Sequence, residues 1–179
     1  MPSSHRRSNK RKQIIETVVI VCVLAFVVMK RFHWFPGPST ASGWSPAYAQ
    51  PKLPTTKLWL GSQELVAELA QTSSQIAAGL MFRTNLGPNE AMLFVFATPW
   101  RASFYMKNTL IPLSCAYIDS KGVILETHDM KPLDETTIYA ASTNIQFVLE
   151  VRQGWFKTNQ IGEGTLVRTE NGPLQSLLH

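Results

Sequence analysis

Cysteine is nearly absent from this chain: Cys22 and Cys115 are the two in 179 residues. Cys115 stands alone in the part that reads as a folded domain. No disulfide framework can therefore hold that domain together, and its stability must come from a packed core. Zinc-ligand spacings, a P-loop and a Walker-type lysine are missing too, and "GEG" at 162–164 is only a turn. No internal repeat is visible. Neither a cofactor nor a metal site is implied.

Acidic residues are also scarce, 12 against 17 Lys and Arg, for a formal charge of +5. Such a balance points first to nucleic acid, until it is divided along the chain. Arg6, Arg7, Lys10, Arg11, Lys12, Lys30 and Arg31 hold seven of the cations, and Glu16 is the one acid among them. The rest carries ten cations against eleven acids, so a nucleic-acid surface on the domain has little support.

The one long apolar run is "IIETVVIVCVLAFVVM", Ile14 to Met29, broken only by Glu16 and Thr17 and preceded by the basic "HRRSNKRKQ". As a helix, its 16 residues reach only about 24 Å of a hydrocarbon core of about 30 Å. Phe32, Trp34 and Phe35 can extend it to an interfacial aromatic belt while Lys30 and Arg31 snorkel. Five cations before the run against two after it put the N-terminus in the cytoplasm and the domain outside. The expectation is a retained single-pass anchor over 14–35, after a basic tail at 1–13. The alternative is export after cleavage near Ala49, where "AYA" lies about 18 residues past the apolar run.

Residues 36–56 hold five of the eleven prolines among Ser, Thr and Gly and read as an extended spacer. A domain follows over 57–170, with 171–179 left as a tail. "KLWL" and "QELVAELA" read as strands joined at "GS", and "AMLFVF", "SFYMK", "LSCAYID", "VILETHD" and "IQFVLEV" as further strands. Thr72 with Gln75 makes a capping box for a short helix stopping at Gly79. A helical turn near "GWFKTNQ" and a strand near "TLVR" complete the pattern. The fold class expected is mainly β, a small sandwich or barrel of short, largely antiparallel strands with one or two short helices.

The loop "SKG" suits a three-residue hairpin with Gly122 in the left-handed position, pairing Asp119 with Val123. Counting back, Cys115 meets Thr127 and Ser114 meets His128. Leu113, Cys115 and Tyr117 then face the core. Ser114, Glu126 and His128 share the other face, which reads as solvated or as a polar ligand surface. On paper Ser114, His128 and Glu126 form a nucleophile, base and acid set, without the oxyanion donors or strained elbow such chemistry uses. Met81, Met92, Met106 and Met130, with His128 and Cys115, are soft donors that Cu(I) could use, although methionine in apolar runs is ordinarily core filler.

Taken in order, "GLMFR", "AMLFVF", "FYMKNTLIPL", "YIDSKG" and "FVLEV" resemble the domain of unknown function 192 family over roughly 57–169. The resemblance implies a compact, mainly β fold and no established reaction. Members generally carry Gly before "MLF", Trp at the position of Tyr105 and Asp at that of Ser114, so this chain departs at Ala91, Tyr105 and Ser114. The matching polar positions are Arg83, Lys107, Asn108, Thr109 and Glu150. Lys107, Asn108 and Thr109 read as a strand end and turn, compatible with a Lys107–Glu150 ion pair. Arg83, Lys107 and Asn108 read alternatively as a rim for an anionic or polyhydroxyl ligand. The function expected is a membrane-tethered binding or accessory module for a small polar ligand, a cell-envelope glycan or a protein partner. A hydrolase or transferase is the alternative.

Overall fold

The computed structural model describes residues 46–178, within a compact unit that spans 43–179. The expected anchor at 14–35 lies outside the described residues. Among those described, no helix is long and apolar enough to cross a membrane.

Strand β1 (Thr55–Leu60) alternates exposed and buried positions, as one face packs and the other meets water. It turns at Gly61–Ser62 into antiparallel β2 (Gln63–Ala70). Thr72 then caps α1 (Ser73–Ala78): its hydroxyl accepts from the Gln75 amide, and the Gln75 side chain accepts from the Thr72 amide. The expected capping box is thus present, and Gly79 ends the helix at φ +48°.

The loop after α1 returns the chain beside β2 as β3 (Glu90–Trp100), and this pair is parallel. A parallel pair needs such a crossover rather than a hairpin. Strands β4 (Ser103–Phe104) and β7 (Ile138–Tyr139) form a separate small ladder. In the main sheet β3 pairs with β8 (Ile145–Arg152), β8 with β5 (Leu113–Asp119), and β5 with β6 (Ile124–Met130), all antiparallel. Helix α2 (Trp155–Thr158), β9 (Val167–Thr169), β10 (Gly172–Pro173) and a 3-10 turn (Leu174–Leu177) follow.

The result is one eight-stranded mixed sheet, ordered β10-β9-β1-β2-β3-β8-β5-β6. Its ends approach at the β5–β6 turn, where Val123 bridges Leu166 and the Val167 amide donates to the Gly122 carbonyl at 2.8 Å. Gly122 is required there, because at φ +84° a Cβ would lie 3.1 Å from the Val167 carbonyl oxygen. Ile124 extends the contact, its amide donating to the Thr165 carbonyl and its carbonyl accepting from the Gly164 amide, but the rest of β6 pairs only with β5. The expected sandwich or barrel is therefore corrected to a curled, open sheet with one parallel pair.

Central strands β5 and β8 are buried on both faces, which their continuous apolar text demands. Leu58, Leu93, Ile118, Leu149, Phe156 and Leu174 belong to an inner layer enclosed by the curl. Leu174 is fully buried although it lies in the stretch expected as a tail. Met92, Phe94, Met106, Cys115, Tyr117 and Val148 belong to an outer layer, against which Ile76 of α1, Phe104 of β4 and Ile138 of β7 pack.

Two further expectations change. "SFYMK" is a strand only at Ser103–Phe104; beyond it the Met106 amide turns to the Asp134 carbonyl. The spacer is also bound at its end, where the Gln50 side-chain amide donates to the carbonyl of Gly79 and to that of Gln75, which also accepts from the Gly79 amide.

Candidate functional site

The β5–β6 hairpin has the expected turn but not the expected register. Ile118 pairs with Ile124 and Tyr117 with Glu126, leaving Leu125 as an extra residue in a bulge. Every later pair slips by one: Ser114 faces Asp129, and Cys115 faces His128. A one-residue slip exchanges the faces. Glu126 and His128 consequently join the Cys115 and Tyr117 side, and Ser114 stays with Ala116 and Ile118. The supposed solvated face does not exist, since Ala116, Ile118 and Ile124 lie in the inner layer.

This separates the Ser114, His128 and Glu126 set. Ser114 is buried, donates its hydroxyl proton to the Asp129 carboxylate, and accepts from the Gly154 amide at 2.9 Å. It pins the start of α2. His128 Nε2 lies 2.9 Å from Glu126 Oε2, and the imidazole meets the Tyr117 ring edge-on at 5.6 Å between centroids. Glu126 Oε1 accepts from the Ala141 amide, and the Tyr117 hydroxyl donates to the Ile138 carbonyl. These contacts fasten 138–141 to the sheet. Cys115 is fully buried, and burial pushes its thiol well up, with Glu150 and Glu126 adding to the effect. It is unfit as a nucleophile.

Met92, Met106 and Met130 lie in the outer apolar layer, and Met81 is buried as well. Among the described residues no three His, Cys, Asp or Glu side chains converge as metal ligands.

The family-matched polar residues have structural explanations in part. Asn108 stands at φ +54°, a conformation Asn tolerates, and its carbonyl accepts from the Phe82 amide at 2.8 Å. Thr109 is buried; its hydroxyl donates to the Lys107 carbonyl, its amide to the Met106 carbonyl, and its own carbonyl accepts from Leu133. "MKNT" is thus a turn that ties 79–83 and 131–134 together. Lys107 is half-buried and forms no ion pair with Glu150.

Arg83 and Glu150 are different. Reading across the outer face by register, Glu68 on β2 stands beside Met92 on β3, then Glu150 on β8, Cys115 on β5 and His128 on β6. Arg83 Nη2 donates to Glu68 Oε2 at 2.9 Å, and the same oxygen accepts from the Leu53 amide at 2.8 Å. Both partners of the pair are largely enclosed. Arg83 Nε, however, is buried with no acceptor.

Glu150 is 5% exposed and has no hydrogen-bond or ion-pair partner among the described residues. Burial alone pushes its carboxyl up to about 8. Two strand spacings, about 10 Å, separate the Glu68 and Glu150 positions across Met92. Glu68 escaped the sequence reading, because a lone acid in "QELVAELA" looks like a solvated strand position.

A groove of about 420 Å³ lies between residues 46–51 and the Ser74–Ala78 flank of α1, and none of these polar residues lines it. Its wall is Pro, Ala, Tyr, Gln and Ser, with no titratable pair. We place the chemistry at the polar row, where Glu150 is a nearly buried carboxyl without a protein partner and Arg83 Nε is buried without an acceptor.

No curated protein matches the sequence. Two crystal structures resemble the fold. One, from Sinorhizobium meliloti 1021 and described provisionally as a transcription regulator, is 29% identical with a TM-score of 0.64, covering 67% of this chain and 97% of its own. The other, a protein of unknown function from Novosphingobium aromaticivorans DSM 12444, is 34% identical with a TM-score of 0.62, covering 74% of this chain and 99% of its own. The model of DUF192, described as "Uncharacterized ACR", matches residues 56–169, and the chain belongs to that family.

Proposed function

We propose that the protein is a binding or accessory module, tethered to a membrane by residues 14–35 and exposed outside the cytoplasm, that takes a small polyhydroxyl or anionic ligand such as a glycan unit on the outer sheet face. The observation that carries this reading is Glu150: a carboxyl enclosed in the sheet with no protein partner. Buried polar groups are ordinarily satisfied, and an exception calls for a water, an ion or a ligand. On the same side of the sheet Arg83 Nε is fully enclosed without an acceptor; among the described residues Trp100 Nε1, at the far end of β3, is the other such atom.

The chemistry is complementary to a hydroxyl-rich molecule. A neutral carboxyl both donates and accepts, and a guanidinium supplies fixed donors. Catalysis has less support, since the serine and histidine that could cooperate lie on opposite faces. The provisional description of one relative as a transcription regulator is not carried to this chain, whose cations outside the N-terminal segment do not outnumber its acids.

The test is a thermal-shift screen of the full chain in detergent against sugars, muropeptides and small anions, repeated with Glu150→Gln and Arg83→Lys. A ligand at 100 times its Kd stabilises the fold by roughly 2.7 kcal/mol. The expected result is a shift with at least one hydroxyl-rich compound that both variants reduce. A panel with no effect, or a shift indifferent to both variants, contradicts the site.

A further inference from the structure

Four of the seven large hydrophobic residues exposed among the described residues fall in one region: Tyr105 at 44%, Leu110 at 46%, Leu133 at 59% and Tyr139 at 60%. The connections explain the clustering. Phe104 pairs with Ile138 and both pack on the outer layer, so the alternate positions Ser103, Tyr139 and Tyr105 face away from it. The Leu133 amide donates to the Thr109 carbonyl, next to Leu110, and the Met106 amide donates to the Asp134 carbonyl, next to Tyr105.

Leu133 is held against its own preference. It is the third residue of a turn closed by the Asp134 amide on the Lys131 carbonyl, follows Pro132, and stands at φ +61°. That position suits Gly or Asn. No burial compensates, since more than half of the side chain meets solvent. A strained residue that presents an aliphatic group outward is a reason to look for what it contacts.

We infer that this patch docks on the surface of the bilayer that carries the chain's own N-terminal segment. Its composition is that of a membrane interface: two leucines at turns, two tyrosines beside them, and cations around them. Arg101 lies over the Tyr139 ring at 5.7 Å, and Lys107 and Lys131 flank the leucine turns; Asp134 and Glu135 are the acids of the same loops. Charge complementarity to anionic headgroups is therefore slight, and the leucines and tyrosines carry the contact.

The tether makes a small patch sufficient. Ten residues, 36–45, separate the proposed anchor at 14–35 from Pro46. Fully extended they span at most about 35 Å, and as a flexible coil about 16 to 19 Å. Docking is then intramolecular at high effective concentration. The inference rests on the membrane segment of the proposed function, not on the ligand site.

The experiment uses the full chain in vesicles with about one third anionic lipid, with Cys22→Ser and one environment-sensitive probe on Thr137→Cys, whose backbone lies beside the patch, or on Lys121→Cys. Lys121 sits at the far turn of the β5–β6 hairpin, about 20 Å away along the strand. Cys115 is fully buried and escapes labelling. Flotation with the vesicles reports the anchor, and quenching by nitroxide lipids reports docking.

The expected result is flotation, quenching several-fold stronger at 137 than at 121, and loss of that difference in Leu110→Ser with Leu133→Gly while flotation persists. Flotation with equal quenching at both sites overturns the docking but leaves the anchor. Energy transfer between two labelled chains without quenching at 137 overturns it in favour of an interface between copies. Failure to float overturns the anchor and the docking together.

Discussion

Cys115, not Ser114, lies opposite His128. The bulge at Leu125 produces this pairing, and it moves His128 and Glu126 onto the outer face beside Tyr117 while Ser114 remains on the inner side. A triad requires its nucleophile and base within hydrogen-bond reach. The polar residues of β6 instead secure the segment that precedes β8.

That role can be measured directly. Glu126→Ala removes the acceptor of the Ala141 amide. Hydrogen exchange at Ala141 should accelerate at least about tenfold relative to the β8 amides, the equivalent of roughly 1.4 kcal/mol of local opening. Unchanged exchange would show that 138–141 is held by its contacts with Tyr117, β4, Arg101 and Ala102.

Glu150 makes stability depend on pH with a definite sign. Its folded pKa, about 8, lies above the ordinary value of 4.5. Between those values the folded state holds a proton that the unfolded state loses. Stability is therefore fully present below about 4.5 and falls as pH rises through 8. Glu150→Gln should remove most of this fall, worth up to about 5 kcal/mol at 1.36 kcal/mol per unit. Chemical denaturation from pH 4 to 9 checks it, and parallel curves for the two proteins would count against a buried, unpartnered carboxyl.

Arg83→Ala leaves Glu68 enclosed with only the Leu53 amide for company. Breaking such a pair from one side should destabilise by about 3 kcal/mol. Combining Arg83→Ala with Glu68→Gln in a double-mutant cycle should recover part of the loss. Additive effects would mean that the ion pair does not hold the 79–89 loop.

Leu133→Gly should raise stability, a direction few buried or surface changes give. Relief of a left-handed non-glycine residue is worth about 1 to 2 kcal/mol, and the extra freedom of glycine in the unfolded chain takes back about 0.5 to 1. A net gain of about 0.5 to 1 kcal/mol is expected in denaturant midpoints. A loss would show that the leucine packs on the fold rather than facing outward.

Local signals carried most of the architecture. The capping box at Thr72, the left-handed Gly122 and the apolar run of β3 depend on neighbours within a few residues, so they are legible in one dimension. The parallel pairing of β2 with β3 is not, because it is decided by where the crossover lands. A single bulged residue, Leu125, was enough to reverse a face assignment, and nothing in "VILETHD" marks it. The site was half visible: Arg83 and Glu150 came from the family resemblance. Glu68, which holds Arg83, is identified by burial, which an isolated acid in a strand does not advertise.

The most direct test of the ligand site is to follow the Glu150 side-chain carboxyl by 13C NMR in the full chain across pH 4 to 10, with and without a muropeptide and sugar mixture at millimolar concentration. The account predicts a midpoint near 8 in the free protein that moves when the mixture is added. A midpoint in the ordinary carboxylate range, indifferent to every addition, would contradict it.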